Sequence, residues 1–295
     1  MTYKLQPQRI DEGIDPLFRS YLRDQPVVSY VEPADPPLRR FIARQLERLC
    51  GRSALEALYH EIKAEGAPAP GFFGAALGRA GIELEIAGTQ PENLGVDGPL
   101  VFIANHPFGI VDGLALCELG HRARGEFRIM LHALLYQDRE LAPLLLPVDF
   151  APTAAARRTN IRSKQLAEEA LGAGIPLLIF PAGGVSTRSR LGFGPLADLP
   201  WTTFAAKLIL RTRATVVPCF FHGENDRLFH IASHIAAPLR LALLLRAVHG
   251  HRNRPVRVTV GQPIPFESLP VEGGRQGLTA YLHACTWALG ERSSN

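Results

Sequence analysis

A chain of 295 residues that is 46% hydrophobic and 20% charged is long enough for one large core, or a core with a small appendage, and too apolar to be disordered. Its formal net charge of +4 suits anionic lipid, an acidic carrier protein or nucleic acid and selects none of them. The four cysteines, Cys50, Cys117, Cys219 and Cys285, are far apart and form no C-x-x-C pair, which points to reduced, buried thiols and away from a bound metal.

In chain order, the opening stretch Met1 to Arg9 lacks an apolar h-region, and nowhere do 18 apolar residues run together. The expectation is a protein that does not span a membrane. Residues 1–34, rich in Pro and polar groups, read as irregular. From Leu38 to Ala64 the apolar positions Phe41, Ile42, Leu46, Leu49, Leu55 and Leu58 recur at helical spacing. Pro68, Pro70 and Gly71 then form a breaker, and a short helix is expected over 72–80. Together these make a helical N-terminal region, residues 1–80. Residues 82–87 alternate apolar and polar, as a half-buried edge strand does, and open an α/β domain over 81–295. Further strands are expected at 100–104, 127–132, 176–180, 215–221 and 256–260. Helices are expected near 112–123, 158–172, 200–211, 227–249 and 276–289. Such alternation predicts an α/β fold with a mainly parallel central sheet flanked by helices.

The polar turns that end three of these strands carry the chemistry. The first strand runs into Asn105-His106-Pro107-Phe108-Gly109, with Asp112-Gly113 opening the next helix. A carboxylate beside an imidazole fixes its tautomer and supports positive charge on it, so the other ring nitrogen can take a proton from a hydroxyl. No acyl-enzyme is needed if that hydroxyl belongs to the substrate. Asn105 and the backbone around Gly109 are candidates to stabilise an oxyanion. The same residues also suit a plainer arrangement in which Asp112 caps the helix and His106 is an ordinary loop residue.

The second turn, Phe180-Pro181-Ala182-Gly183-Gly184-Val185-Ser186, leads to Thr187-Arg188-Ser189-Arg190. Glycines let backbone amides approach an anion, so Gly183, Gly184, Ser186, Arg188 and Arg190 are candidates for binding an anionic acceptor. The third strand ends in His222-Gly223-Glu224-Asn225-Asp226-Arg227. Its His222, Glu224 and Asp226 alternate but match no strong metal motif, and Asn225 reads as shaping the acceptor pocket or capping the next helix. Parallel neighbouring strands would bring all three turns to one cleft.

The run Asn105 to Gly109 with Asp112-Gly113, then Phe180-Pro181-Ala182-Gly183 and Val217-Pro218, resembles the glycerolipid acyltransferase superfamily of the lysophosphatidate acyltransferases. It is most similar to a bacterial hemolysin-like branch related to the O-acyltransferases of ornithine- and glycine-lipid synthesis, which also places five residues between His and Asp. The resemblance spans residues 80–268 and is carried by motif order and spacing together. It implies acyl transfer from an acyl-carrier-protein or coenzyme A thioester, as co-substrate without a cofactor, to a lyso-lipid hydroxyl, with His106 as general base and Asp112 orienting it. Two departures stand out. Relatives carry a glutamate in the Phe-Pro turn, where this chain has Ala182 and Gly184, so that residue's acceptor-binding role does not transfer. The arginine-bearing second motif is matched only loosely, by Leu146 to Phe150 and by Arg157 and Arg158.

The segment 227–257 combines Leu228, Phe229, Ile231 and Ile235 with a Leu-rich stretch beyond Pro238 and then Arg252, Arg254 and Arg257. It reads either as an apolar face laid on an anionic membrane or as a broken helix packed on the sheet. The expectation is a cytoplasmic enzyme held peripherally on the inner face of the cell membrane, with no nucleic-acid partner. A thioesterase or lipid hydrolase using the same cleft, or a weakly catalytic lipid-binding relative, are the alternatives. A serine hydrolase is disfavoured because Gly184-Val185-Ser186-Thr187-Arg188 lacks the closing glycine of G-x-S-x-G.

Overall fold

A computed structural model of the protein describes residues 14–27, 29, 36–235 and 237–291. Its strands are β1 (Leu84–Gly88), β2 (Leu100–Ala104), β3 (Arg128–His132), β4 (Leu145–Val148), β5 (Leu177–Ile179), β6 (Thr187–Arg188), β7 (Leu196–Ala197), β8 (Thr215–Phe221) and β9 (Val256–Val260). The helices are α1 (Pro37–Leu49), α2 (Arg52–Ala64), α3 (Phe72–Arg79), α4 (Ile110–Arg124), α5 (Ala154–Gly172), α6 (Ser189–Gly192), α7 (Phe204–Thr212), α8 (Arg227–Ile235), α9 (Ala237–Gly250) and α10 (Gly274–Glu291).

Seven strands form one sheet in the order β1-β9-β8-β2-β5-β3-β4, with β8, β2, β5, β3 and β4 parallel and the β9-β1 pair reversed. The fold is α/β with a mainly parallel sheet flanked by helices. β2 lies at its centre because its five residues are all apolar and buried, the pattern of a strand covered on both faces. Alternate side chains enter opposite layers: Leu100, Phe102 and Ala104 join Leu116 and Phe127, whereas Val101 and Ile103 join Leu208 and Leu278. Residues 145–148, not expected as a strand, form edge strand β4. Pro147 has no N–H to donate and is tolerated there because β4 pairs on one side only.

The helical stretch expected over 38–64 is two helices. Gly51 between them has φ of +91°, and a Cβ there would fall 2.1 Å from Nε2 of His249, so only glycine makes this turn. α1 then packs on α9, and α3 rests on α4. The 227–249 helix is likewise two, α8 and α9. Phe229, Ala232, Ala242, Leu243, Leu244, Leu245 and Val248 are all buried, so the Leu-rich stretch is core and not a bilayer face. Among the described residues no helix is long and apolar enough to cross a membrane.

Candidate active site

The three turns do meet. β5 and β8 flank β2 in parallel, Ile103 standing level with both Ile179 and Pro218, so the chain leaves all three strands at one edge. The turn after β2 is pinned from both neighbours. Asn105, buried, donates Nδ2–H to the Phe221 carbonyl at 2.9 Å and accepts the Phe221 N–H at 2.7 Å. Its side chain therefore extends the β2–β8 ladder, which commits its oxygen and one of its two Nδ2–H donors to the fold. Asn225 donates to the Pro107 carbonyl at 2.8 Å, and the Ser186 N–H donates to the His106 carbonyl at 2.8 Å.

His106 and Asp112 face each other with Nδ1 and Oδ1 3.0 Å apart, within ion-pair range, although the ring N–H is not aimed squarely along that line. Loose alignment is common before a substrate binds. Asp112 is wholly buried in the first turn of α4, and its Oδ2 accepts the Phe108 N–H at 2.9 Å. One oxygen thus holds the Phe108 amide ahead of the helix, whose N-cap is Gly109, while the other faces the imidazole. Gly109 makes the close approach possible: its φ is +84°, and a Cβ would meet Leu244 at 2.8 Å and Val185 at 3.2 Å. The imidazole lies on the ring of Phe180, centroids 3.9 Å apart. With Nδ1 toward Asp112 and one face on Phe180, Nε2 is the ring nitrogen turned away from the carboxylate.

The Gly183–Arg190 segment behaves differently from expectation. Gly183 and Gly184 form a turn beside His106, with φ of +66° at Gly183. Ser186 is fully buried and its hydroxyl donates to Asp198, so it presents no donor to an acceptor. Arg188 gives Nε and Nη2 to Glu224 at 2.5 and 2.6 Å and Nη1 to the Gly194 carbonyl at 2.9 Å. Its charge is spent on fastening the β6–β7 hairpin to the loop before α8, which corrects the reading of Arg188 as a headgroup clamp. The Arg190 side chain lies outside the described residues. Arg188 holds the Glu224 carboxyl below the usual carboxylate range, and buried His230 stands 3.1 Å from the same carboxylate with its pKa pushed down by burial.

The alternating trio separates: His222 shares a hydrogen bond with Thr259, Glu224 holds Arg188, and Asp226 accepts the Phe229 N–H. Among the described residues no three metal-ligating side chains converge. Arg157 and Arg158 are exposed in the first turns of α5, which follows β4, three strand spacings or about 14 Å from β2. A cavity of about 460 Å³ lined by Ile14, Phe18, Arg128, Leu145 and Ile175 opens at the opposite edge of the sheet, away from His106. Two neighbours of the site escape sequence reasoning. Phe180 lies within the quoted motif but nothing there signals its stacking. Arg240 donates Nη2–H to the Val185 carbonyl at 2.8 Å from 55 residues further along the chain, and its only signal is membership of a basic stretch.

Residues 48–273 match the family described as Acyltransferase. The chain is 29% identical over 240 residues to the lyso-glycine lipid O-acyltransferase of Phocaeicola vulgatus, covering 78% of this chain and 80% of that protein. It is 28% identical over 240 residues to the protein of the same name from Bacteroides thetaiotaomicron, covering 78% and 82%. The crystal structure of the 1-acyl-sn-glycerophosphate (LPA) acyltransferase PlsC from Thermotoga maritima matches with a TM-score of 0.50 at 14% identity, over 95% of this chain and 87% of that one, which shows a shared fold. With most of its length matched, this chain belongs to the acyltransferase family and is an acyltransferase.

Proposed function

We propose that the protein moves a fatty acyl group from a thioester donor, acyl-carrier protein or coenzyme A, onto the hydroxyl of a lyso-lipid at a membrane surface. The observation that carries this reading is the buried Asp112 carboxylate 3.0 Å from His106 at the edge where β2, β5 and β8 end. The names of the lyso-glycine lipid O-acyltransferases support a lyso-lipid as the acceptor.

His106 Nε2 takes the acceptor hydroxyl proton as that oxygen attacks the thioester carbonyl. Asp112 stabilises the imidazolium that forms. Pro107 has no N–H and that of Phe108 is bound to Asp112, so the oxyanion falls to the amides of Gly109 and the first turn of α4, where the helix terminus favours negative charge. Collapse of the tetrahedral species expels the thiolate, which recovers the proton from His106. The acyl group ends on the acceptor and the donor leaves as a free thiol.

Purified protein given labelled acyl-carrier protein or acyl-coenzyme A and a panel of lyso-lipids should yield a lipid heavier by one acyl chain. Release of free fatty acid alone would replace transfer by hydrolysis.

A further inference from the structure

Arg240, in the first turns of α9, has no part in the chemistry above. Its guanidinium sits over Phe229, 5.7 Å from the ring centroid, beside an apolar cluster of Val185, Phe229, Leu243 and Leu244. Among the described residues no carboxylate lies within ion-pair distance of it, whereas Arg52, Arg162, Arg188 and Arg246 each have one. Burial lowers its pKa with nothing opposing the shift. An arginine stays charged regardless, so a cation partly stripped of water stands there without a counter-charge, a cost that a bound anion offsets. Of its five N–H donors, Val185 takes one.

Its position connects it to the reacting centre. The peptide unit between Val185 and Ser186 gives its carbonyl to Arg240 and its N–H to the His106 carbonyl. Standard peptide dimensions then place the guanidinium within about 8 Å of the His106 backbone. Gly184 lies beside it, where a Cβ would come into ordinary contact with Arg240 Nη2 at 3.9 Å and would crowd Leu199 at 2.9 Å. The turn itself, Ala182-Gly183-Gly184, offers no acidic side chain to compete for the cation.

We propose that Arg240 binds the anionic group of the lipid acceptor, a carboxylate or a phosphate, while the acceptor's hydroxyl lies at His106. This deepens the acyl-transfer reading and rests on it. The acceptor is preferred to the donor because α9 packs directly against α1, whose outer face carries exposed Leu38, Phe41, Ile42 and Leu49, the side from which a membrane lipid would enter.

The test compares wild type with Arg240→Gln on two acceptors, lysophosphatidate and an uncharged monoacylglycerol. Glutamine keeps a donor for the Val185 carbonyl and removes the charge. The KM for lysophosphatidate should rise about 10- to 100-fold, the range of a hydrogen bond to a charged group, while the KM values for monoacylglycerol and donor stay put. An unchanged lysophosphatidate KM, or an equal rise for both acceptors, overturns the proposal. A rise in donor KM alone overturns it too, by assigning Arg240 to the donor's phosphate. If the glutamine variant does not fold, Arg240→Lys decides: it keeps charge but loses the planar fork, and must still raise the lysophosphatidate KM several-fold. Calorimetric binding of lysophosphatidate to the His106→Ala protein, with and without Arg240→Gln, reads the contact without turnover. Binding lost on Arg240→Gln, in an enzyme whose wild type acylates no lyso-lipid, would keep the anion site and sink acyl transfer. Undiminished binding sinks the site alone.

Discussion

The imidazole of His106 lies on the ring of Phe180, with planes 24° from parallel. Asp112 controls which nitrogen points inward, and Phe180 controls the plane in which the other nitrogen swings. On the proposed mechanism an acceptor hydroxyl must meet Nε2 within a narrow cone, and misplacement of a catalytic group by about 1 Å costs up to about 10²-fold.

Phe180→Ala should therefore lower kcat about 10-fold or more and leave acceptor KM within about twofold, because the ring orients the base and does not grip the lipid. Phe180→Tyr, which retains the ring, should recover most of the loss. Steady-state kinetics on both variants checks this. A wild-type kcat for the alanine protein would reduce the stack to packing.

His106→Ala should cost at least about 10²-fold in acyl transfer, the lower end of a positioned base's contribution, while the protein stays folded. Asp112→Asn keeps the acceptor oxygen for Phe108 and loses the charge that supports imidazolium, so it too should be severely impaired while staying folded. Equal turnover by Asp and Asn enzymes would leave Asp112 as a fastening for the turn only.

Arg188→Ala and Glu224→Gln should lower stability and leave acceptor KM nearly unchanged, since each residue is occupied with the other. Folding lowers the pKa of Glu224, so the pair's contribution is complete above the ordinary carboxylate range and is lost as pH falls through the depressed native value. Arg188 and His230 are the charged or titratable groups that face it. Urea melts of wild type and Glu224→Gln should thus converge as pH falls below the ordinary carboxylate range. A gap that is constant with pH would show that the stabilisation is not electrostatic.

How far the sequence is legible follows from which contacts are local. The His106–Asp112 pair lies within one strand-to-helix turn, and the central strands are near-continuous apolar runs, so both can be read along the chain. The partners that decide the fate of Ser186 and Arg188 cannot, because Asp198 is 12 residues and Glu224 is 36 residues away, brought in by a hairpin too short to show periodicity. Asn105 offers a polar side chain beside His106, the proposed base, and only the β2–β8 register reveals its bonds to Phe221. Segment 227–249 has the composition of a bilayer face, yet composition does not say whether a Leu-rich helix meets lipid or its own sheet.

Among the described large apolar side chains of that segment only Leu228 and Ile235 are exposed, whereas α1 carries a continuous apolar surface. Leu38, Phe41, Ile42 and Leu49 are 71, 62, 49 and 84% exposed, and their spacing of i, i+3, i+4 and i+11 sets them in one stripe. Ala43 and Glu47 turn the opposite side of the helix to the protein, and Arg44 and Arg48 lie exposed beside the stripe. On the proposed membrane association, a helix so built would lie in the plane of the interface, each large apolar side chain contributing about 1.5–3 kcal/mol on full burial. The arginines add an attraction to anionic lipid that salt weakens, because charges are screened beyond about 8 Å at physiological ionic strength. Leu38→Glu with Phe41→Glu should abolish flotation with anionic vesicles and leave the melting temperature alone, since neither side chain is packed. Arg252→Glu with Arg254→Glu, in the exposed turn after α9, should only weaken flotation, and most at low salt. Full binding by the α1 variant, with release of the Arg252 and Arg254 variant, would return the membrane contact to residues 227–257. No binding of the wild-type protein to any vesicle would remove it altogether.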